Sequence, residues 1–160
     1  LVDAVTRSRG EWTLDIYGRG PAEEEVRGAE KANERVKYRG LAAPSDLPDI
    51  YAAADLLVNP RPSTVGFAHY SFPSKLLEYM ASGTPTLSTR LPNLPADYEQ
   101  HIVLSGDGAE ELAKAIDTFF DIPSPDRSKL GEEAREFILA TRGTAAQGLR
   151  VRRFIESIRP

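Results

Sequence analysis

The pattern of hydrophobic and polar positions along the chain predicts strands and helices in turn. Short segments in which apolar and polar residues alternate, or which are apolar throughout, predict strands. These segments lie at 12–17, 36–40, 56–58, 84–88 and 101–104. Apolar residues spaced three and four apart predict helices between and after the strands. The helices lie at 1–5, 45–54, 73–83, 109–120, 124–140 and 145–158, and a further helix begins at Pro21.

Strands that alternate with helices predict a Rossmann-like α/β fold. Because crossovers between parallel strands are right-handed, helices are expected on both faces of a parallel sheet. A chain of 160 residues is long enough for one such domain and too short for two ordinary ones. Ligands of such sheets bind outside the carboxyl ends of the strands. The candidate ligand-binding loops are therefore 18–21, 40–45, 59–71 and 88–95.

Composition and charge narrow the classes of function. A net charge of −4 argues against a protein that is held to nucleic acid by its overall field. The absence of cysteine excludes disulfides, thiolate zinc sites and a cysteine nucleophile. His69 and His101 are too few and too far apart for a histidine metal site. No apolar stretch has the length of a membrane span, so we expect a soluble domain, which is compatible with a position beside a membrane.

The helix predicted to begin at Pro73 has the start of an anion-binding site. Proline suits the first helical position, so the N–H groups of Ser74, Lys75 and Leu76 lack partners within the helix. Free N–H groups, a serine hydroxyl and a lysine within one turn favour a bound anion. The helical period places Lys75 and Glu78 on one face and the apolar residues Leu76, Leu77 and Met80 on the other.

The Lys75–Glu78 pair matches a nucleoside diphosphate. Lys75 and the helix N–H groups would bind the phosphates, and Glu78 would accept hydrogen bonds from the ribose hydroxyls. The alternative is a solvated ion pair three residues apart, which contributes a few tenths of a kcal/mol. The position of the helix start, after a long loop at the ligand edge of the sheet, favours the phosphate site.

Three weaker candidates also follow predicted strands. Gly40 and Leu41 would let the backbone approach a flat base, or form only a turn. Arg61 adds positive charge to the crevice, or is an exposed arginine without a specific role. The glycines at 18 and 20 lack the third glycine of a dinucleotide fingerprint and precede three glutamates, which favours a tight turn.

The sequence resembles the C-terminal domain of family-4 (group 1) glycosyltransferases. The segments with the strongest resemblance are Tyr-Ala-Ala-Ala-Asp-Leu-Leu-Val-Asn-Pro at 51–60 and Phe-Pro-Ser-Lys-Leu-Leu-Glu-Tyr-Met-Ala-Ser-Gly-Thr-Pro at 72–85. Segments 17–21 and 36–40 fit the same register, so that the resemblance covers essentially the whole chain. The segment Tyr-Ser-Phe-Pro-Ser-Lys at 70–75 is similar to that of a branch of the family that makes bacterial capsular polysaccharides and exopolysaccharides.

The resemblance implies a GT-B enzyme with two Rossmann-like domains. This domain would hold a UDP- or GDP-sugar, and the N-terminal domain would bind the acceptor, a glycan or a lipid-linked sugar. Transfer would retain the sugar's configuration and usually need no metal. We expect a cytoplasmic enzyme, in peripheral association with the inner face of the membrane. The first strand would lie upstream of Leu1, and the helix at 145–158 would pack toward the N-terminal domain.

The resemblance also assigns donor-binding residues. The family's Glu-x7-Glu motif has its second glutamate on the ribose, and Glu78 matches that position. Tyr70 stands at the first position, so the contact with the donor sugar must differ. Ser71 and Ser74 belong to the same donor-binding block, and Lys75 is expected to stabilise charge on the leaving diphosphate. A nucleotide-sugar 2-epimerase of similar fold and a non-catalytic interaction module are the alternatives.

Overall fold

The structure, a computed structural model, describes residues 1–64, 66 and 74–158. The strands within these residues are β1 (Leu14–Tyr17), β2 (Val36–Gly40), β3 (Leu57–Asn59), β4 (Thr86–Thr89) and β5 (Val103–Ser105). The helices are α1 (Val2–Arg7), α2 (Glu23–Ala32), α3 (Leu47–Ala52), α4 (Ser74–Ser82), α5 (Ala96–Glu99), α6 (Ala109–Asp121), α7 (Ser124–Arg142) and α8 (Thr144–Ser157).

The strands are all parallel and form two hydrogen-bonded sheets. β1 pairs with β2, whereas β3, β4 and β5 pair in that order. The predicted parallel direction of the strands is confirmed, but the strands form two separate sheets rather than one continuous sheet. Helix α1 packs on both sheets, with Val5 beside Leu14 and Val36 of the first and Ala4 beside Leu87 of the second. The further strand that the resemblance implies upstream of Leu1 stays a prediction.

Strand β4 lies at the centre of the larger sheet and is covered on both faces. Its four residues are all buried, and successive side chains of a strand point to opposite faces. One core cluster joins Leu87 to α1 and α6. A second cluster, under α4, joins Leu76 and Met80 of that helix to Tyr98 and to Ala134 and Ile138 of α7. Helices therefore cover both faces, and the predicted Rossmann-like α/β class is confirmed.

Close backbone contact fixes α7 against the end of α4. Gly83 ends α4 with a φ of +85°, a conformation that favours glycine. A Cβ added to Gly131 of α7 would collide with the Gly83 carbonyl oxygen and lie 3.0 Å from Pro85. This pair of glycines thus sets the distance between the two helices.

Several predicted boundaries are wrong for identifiable reasons. Strand β1 begins at Leu14 rather than at residue 12, and the segment before it is held by Asp117, which accepts hydrogen bonds from the Arg9 N–H at 2.9 Å and the Trp12 indole at 3.4 Å. Helix α2 begins at Glu23 rather than Pro21, since residues 21 and 22 form a turn closed by a bond from the Glu23 N–H to the Gly20 carbonyl. Helix α3 ends at Ala52, where the Tyr51 carbonyl accepts the Thr84 hydroxyl at 2.7 Å.

Helix α8 has the predicted apolar stripe and buries none of it. Its large apolar residues, together with Ile158 just after its end, are 45% to 65% exposed: Leu149, Val151, Phe154, Ile155 and Ile158. The helix packs on α7. Its predicted packing toward another domain stays a prediction. Across the part of the chain that the structure describes, no helix is long and apolar enough to cross a membrane.

Candidate functional site

The loop that leaves β3 is held at the carboxyl edge of the larger sheet. Asn59 donates a hydrogen bond from Nδ2 to the Ser88 hydroxyl at 3.0 Å. One residue beyond Ser88, the Thr89 hydroxyl donates to the Arg61 carbonyl. Hydroxyl side chains at the end of β4 therefore fix the path of the chain as it leaves β3.

A second contact fixes the same loop from β5. The Ser63 N–H donates to Asp107 Oδ1 at 3.0 Å, and the Ser63 hydroxyl donates to Oδ2. These hydrogen bonds outweigh burial and lower the pKa of Asp107 below its ordinary value. The carboxylate is therefore ionised at neutral pH and ties the loop to the end of β5.

Helix α4 presents Lys75 and Glu78 at this edge. Leu76 and Met80 are fully buried, which orients the helix and leaves the opposite face to solvent. The side chains of Lys75 and Glu78 are 50% and 44% exposed, and Lys75 Nζ lies 2.7 Å from Glu78 Oε2. The prediction that the two side chains share the exposed face is confirmed.

Tyr51, at the end of α3, completes a cluster with these two residues. Its hydroxyl donates to Glu78 Oε2 at 3.1 Å and accepts a hydrogen bond from Lys75 Nζ at 3.2 Å. Sequence reasoning missed this residue. The only signal was its place in the family-like segment 51–60, because helical spacing does not encode a contact between two helices. We call Tyr51, Lys75 and Glu78 the α4 cluster.

The α4 cluster holds one cation, one carboxylate and one neutral hydroxyl. The hydrogen bond to Glu78 and that to Tyr51 outweigh partial burial and raise the pKa of Lys75. Burial, together with the bond to Glu78, raises the pKa of Tyr51 despite the opposing contact with Lys75. At neutral pH Lys75 is therefore charged, and the Tyr51 hydroxyl keeps its proton.

This arrangement suits a ligand that carries an anion beside hydroxyl groups. Lys75 lies in the first turn of α4, where N–H groups without intrahelical partners also attract an anion. Both hydrogen bonds from described residues to the Glu78 carboxylate use Oε2, and Oε1 has no hydrogen-bond partner among those residues. One carboxylate oxygen is thus left to accept hydrogen bonds from hydroxyl groups.

The remaining predicted residues have different positions. Ser74 is exposed at the first residue of α4. Arg61 lies at the start of the held loop, with its carbonyl bonded to Thr89. Tyr70 and Ser71 lie outside the described residues, as does Pro73, the predicted helix start.

Gly40 and Leu41 end the other sheet. Gly40 has a φ of +71° and accepts a hydrogen bond from the Gly18 N–H at 2.8 Å. Leu41 is 64% exposed. No hydrogen bond or ion pair between described residues links either of them to the α4 cluster. Within the described ranges, no group of three or more histidine, aspartate and glutamate side chains is arranged to hold a metal ion.

Comparison with known proteins identifies the family of the chain. The model of the family described as glycosyl transferases group 1 matches residues 1–121. D-inositol 3-phosphate glycosyltransferase of Corynebacterium glutamicum is 33% identical over 127 residues, which cover 78% of this chain and 27% of that protein. Mannosylfructose-phosphate synthase of Agrobacterium fabrum is 36% identical over 85 residues, or 48% of this chain and 17% of that protein.

Solved structures share the fold at lower identity. HepE of Anabaena in complex with UDP has a TM-score of 0.76 at 20% identity, over 99% of this chain and 44% of that one. Sucrose-phosphate synthase of Thermosynechococcus elongatus has a TM-score of 0.70 at 21% identity, over 99% of this chain and 43% of that one. The chain therefore spans less than half the length of these relatives.

Proposed function

Because the chain belongs to the group 1 glycosyltransferases, we propose that it is the domain of a GT-B enzyme that binds the nucleotide-sugar donor, a UDP- or GDP-sugar. The observation that carries this proposal is the Lys75–Glu78 pair of the α4 cluster, which lies near the start of a helix beside the carboxyl edge of a parallel sheet. The complexes of the structural neighbour HepE with UDP and with UDP-glucose support the ligand class.

Each residue of the site has a role in this proposal. Lys75 and the first N–H groups of α4, with Ser74, bind the diphosphate. As the bond to the sugar breaks, the same groups stabilise the negative charge that grows on the leaving diphosphate, so that Lys75 is the catalytic residue. Glu78 accepts hydrogen bonds from the ribose hydroxyls. Gly40 and Leu41 are assigned to the base, and Arg61 is assigned to the positive charge of the crevice. Tyr70 and Ser71 are assigned to the donor sugar.

The finer features belong to the same proposal and are supported by the motif resemblance. They are transfer with retention of configuration, no metal requirement, and an acceptor glycan or lipid-linked sugar bound by another domain. A role in bacterial surface polysaccharide synthesis is also included. The proposed location is the cytoplasm, with peripheral association at the inner face of the membrane.

Substitution of the charged pair tests the proposal. Charged hydrogen bonds to ribose hydroxyls are stronger than neutral ones, so Glu78→Gln should weaken UDP or GDP binding by about 1–3 kcal/mol without unfolding the chain. Lys75→Ala should weaken the binding of the nucleoside diphosphate more than that of the nucleoside, because only the diphosphate has phosphates that Lys75 can contact. Isothermal titration of each variant with both ligands measures these effects.

The control is Lys114→Ala, which breaks a comparable exposed ion pair of α6, 2.9 Å from Glu110. It should leave ligand affinity unchanged. If Lys75 and Glu78 form only a surface pair, their variants will behave like this control, with stability changes below about 0.5 kcal/mol. A wild-type chain that binds no nucleoside diphosphate would instead favour a non-catalytic interaction module.

A further inference from the structure

The Tyr51 hydroxyl lies between the two charged groups of the α4 cluster. It donates a hydrogen bond to Glu78 at 3.1 Å and accepts one from Lys75 at 3.2 Å. These partners lie 27 and 24 residues further along the sequence, respectively. Both Tyr51 and Lys75 bind the same carboxylate oxygen, Oε2. Among the residues that the structure describes, the Glu78 carboxylate is therefore held through one oxygen only.

We propose that Tyr51 is a positioning residue that anchors Oε2 of Glu78 and thereby directs Oε1 toward the ribose hydroxyls of a bound nucleoside diphosphate. This inference rests on the proposed function. Tyr51 would not touch the ligand, and its effect would be transmitted through Glu78.

Tyr51 is itself fixed at three points, as a positioning group requires. Its side chain is 9% exposed, and its ring meets the Tyr79 ring edge to face at 5.1 Å between centroids. Its carbonyl accepts the buried Thr84 hydroxyl at 2.7 Å. The phenol oxygen is thus placed by packing on α4 and by the turn that follows α4, and little conformational freedom remains to be lost on binding.

The anchor becomes more important once the ligand is bound. A diphosphate attracts the Lys75 ammonium, which competes with the 2.7 Å contact to Glu78. Glu78 then loses part of the interaction with its charged partner and would be free to rotate. The bond from Tyr51 carries no charge that phosphate could attract, so it persists and keeps the carboxylate in place.

Two matched variants test the inference. Tyr51→Phe removes only the hydroxyl and keeps the ring contact. Tyr79→Phe removes the hydroxyl of the other ring in the same pair, which makes no hydrogen bond to a described residue, and it serves as the control. Titration with UDP should show a five- to tenfold loss of affinity for Tyr51→Phe and less than a twofold change for Tyr79→Phe.

A ligand without ribose hydroxyls separates positioning from a structural effect. With 2′,3′-dideoxy-UDP, the difference in affinity between wild type and Tyr51→Phe should fall below twofold, because this ligand has no ribose hydroxyls to donate hydrogen bonds to Glu78. A loss of affinity that is equal for the two ligands would overturn the inference, as would UDP affinity that Tyr51→Phe leaves unchanged.

The ligand-free protein supplies an independent readout. Nuclear magnetic resonance titration of the Lys75 side chain should show its midpoint at lower pH in Tyr51→Phe than in wild type or Tyr79→Phe. A midpoint that does not move would overturn the contact itself. If the midpoint moves but wild type binds neither UDP nor GDP, the proposed function has failed together with the ribose role, and only the contact stands.

Discussion

At the scale of single residues, Asp117 shows how one buried carboxylate can hold a distant loop. It accepts hydrogen bonds from the Arg9 N–H at 2.9 Å, the Gly10 N–H at 3.3 Å and the Trp12 indole at 3.4 Å. Burial would raise its pKa, but these bonds outweigh burial and lower it. The charged form of Asp117 is therefore the one that the fold stabilises.

We expect Asp117→Asn to lower the free energy of unfolding by about 2 kcal/mol at neutral pH, because an amide cannot accept from all these donors. A carboxyl whose pKa is lowered in the folded state contributes stability above its unfolded pKa, about 3.9, and loses it as pH falls through the folded value. The difference in the free energy of unfolding between wild type and Asp117→Asn should therefore be constant above about pH 5 and shrink below about pH 4. Urea titration at several pH values measures both quantities.

Asp121→Asn is the matched control for this effect. Asp121 lies one turn further along α6 and pairs with Arg9 at 3.5 Å, but its side chain is 73% exposed. Its substitution should cost less than about 0.5 kcal/mol. An equal loss in the two variants would mean that charge near Arg9, rather than the loop bonds, provides the stability.

The same residues show how much of the site could be predicted from sequence. The shared face of Lys75 and Glu78 follows from helical geometry within four residues, and it is confirmed. The contacts of Tyr51 and Asp117 join residues 24 to 108 positions apart. Such contacts depend on how helices pack, which the periodicity of a single helix does not contain.

At the scale of secondary-structure elements, the approach of α7 to Gly83 requires a glycine at 131. Gly131→Ala would place a methyl group against the Gly83 carbonyl, so that α7 must move away from α4. We expect a loss of about 2–4 kcal/mol in the free energy of unfolding, measured by chemical denaturation. Weaker nucleotide binding should accompany this loss, because α4 bears Lys75 and Glu78.

Two other helical glycines provide the control. An added Cβ would meet nothing within 4 Å at Gly28 of α2 or at Gly148 of α8. Because alanine has the higher helix propensity, Gly28→Ala should stabilise the chain by up to about 1 kcal/mol, and Gly148→Ala should have a smaller effect because α8 buries no side chain. A neutral effect of Gly131→Ala would show that α7 can shift without cost.

Helix α8 should contribute little to the stability of this domain. It buries none of its side chains, so deletion of residues 144–160 should lower Tm by less than about 3 °C. In hydrogen exchange, amides of α8 should be less protected than those of β4. Protection of α8 equal to that of β4 in a monomer would contradict this expectation.

Elements were predicted better than their ends. All five strands and seven of the eight helices among the described residues overlap segments that the hydrophobic pattern indicates, although most of them extend one or two residues beyond the predicted bounds. The four-residue helix α5 is too short to show a period. Strand β1 begins two residues later than predicted, after a segment that Asp117 binds through the Arg9 and Gly10 N–H groups and the Trp12 indole. Tertiary contacts of this kind decide boundaries that local pattern leaves open.

At the scale of the whole molecule, the chain matches only part of the length of its relatives. It spans 27% of the inositol-phosphate glycosyltransferase that it matches and 44% of HepE. We expect the purified 160-residue chain to bind UDP or GDP weakly and to transfer no sugar. A radiolabelled donor and a mixture of acceptor glycans would test this, and any product formed by this chain alone would contradict it.

The division of the strands into two sheets bears on cooperativity. Helix α1 contributes Val5 to the core of the smaller sheet and Ala4 to that of the larger one, and Asp117 of α6 binds the loop between α1 and β1. Coupling between the two parts of the domain therefore depends strongly on one six-residue helix, on one carboxylate and on Trp12, which packs against both cores. When that coupling is intact, heat should unfold the chain in a single step. When it is weakened, the part with the smaller core, β1 and β2, should melt first and leave a folded remainder that still carries the α4 cluster.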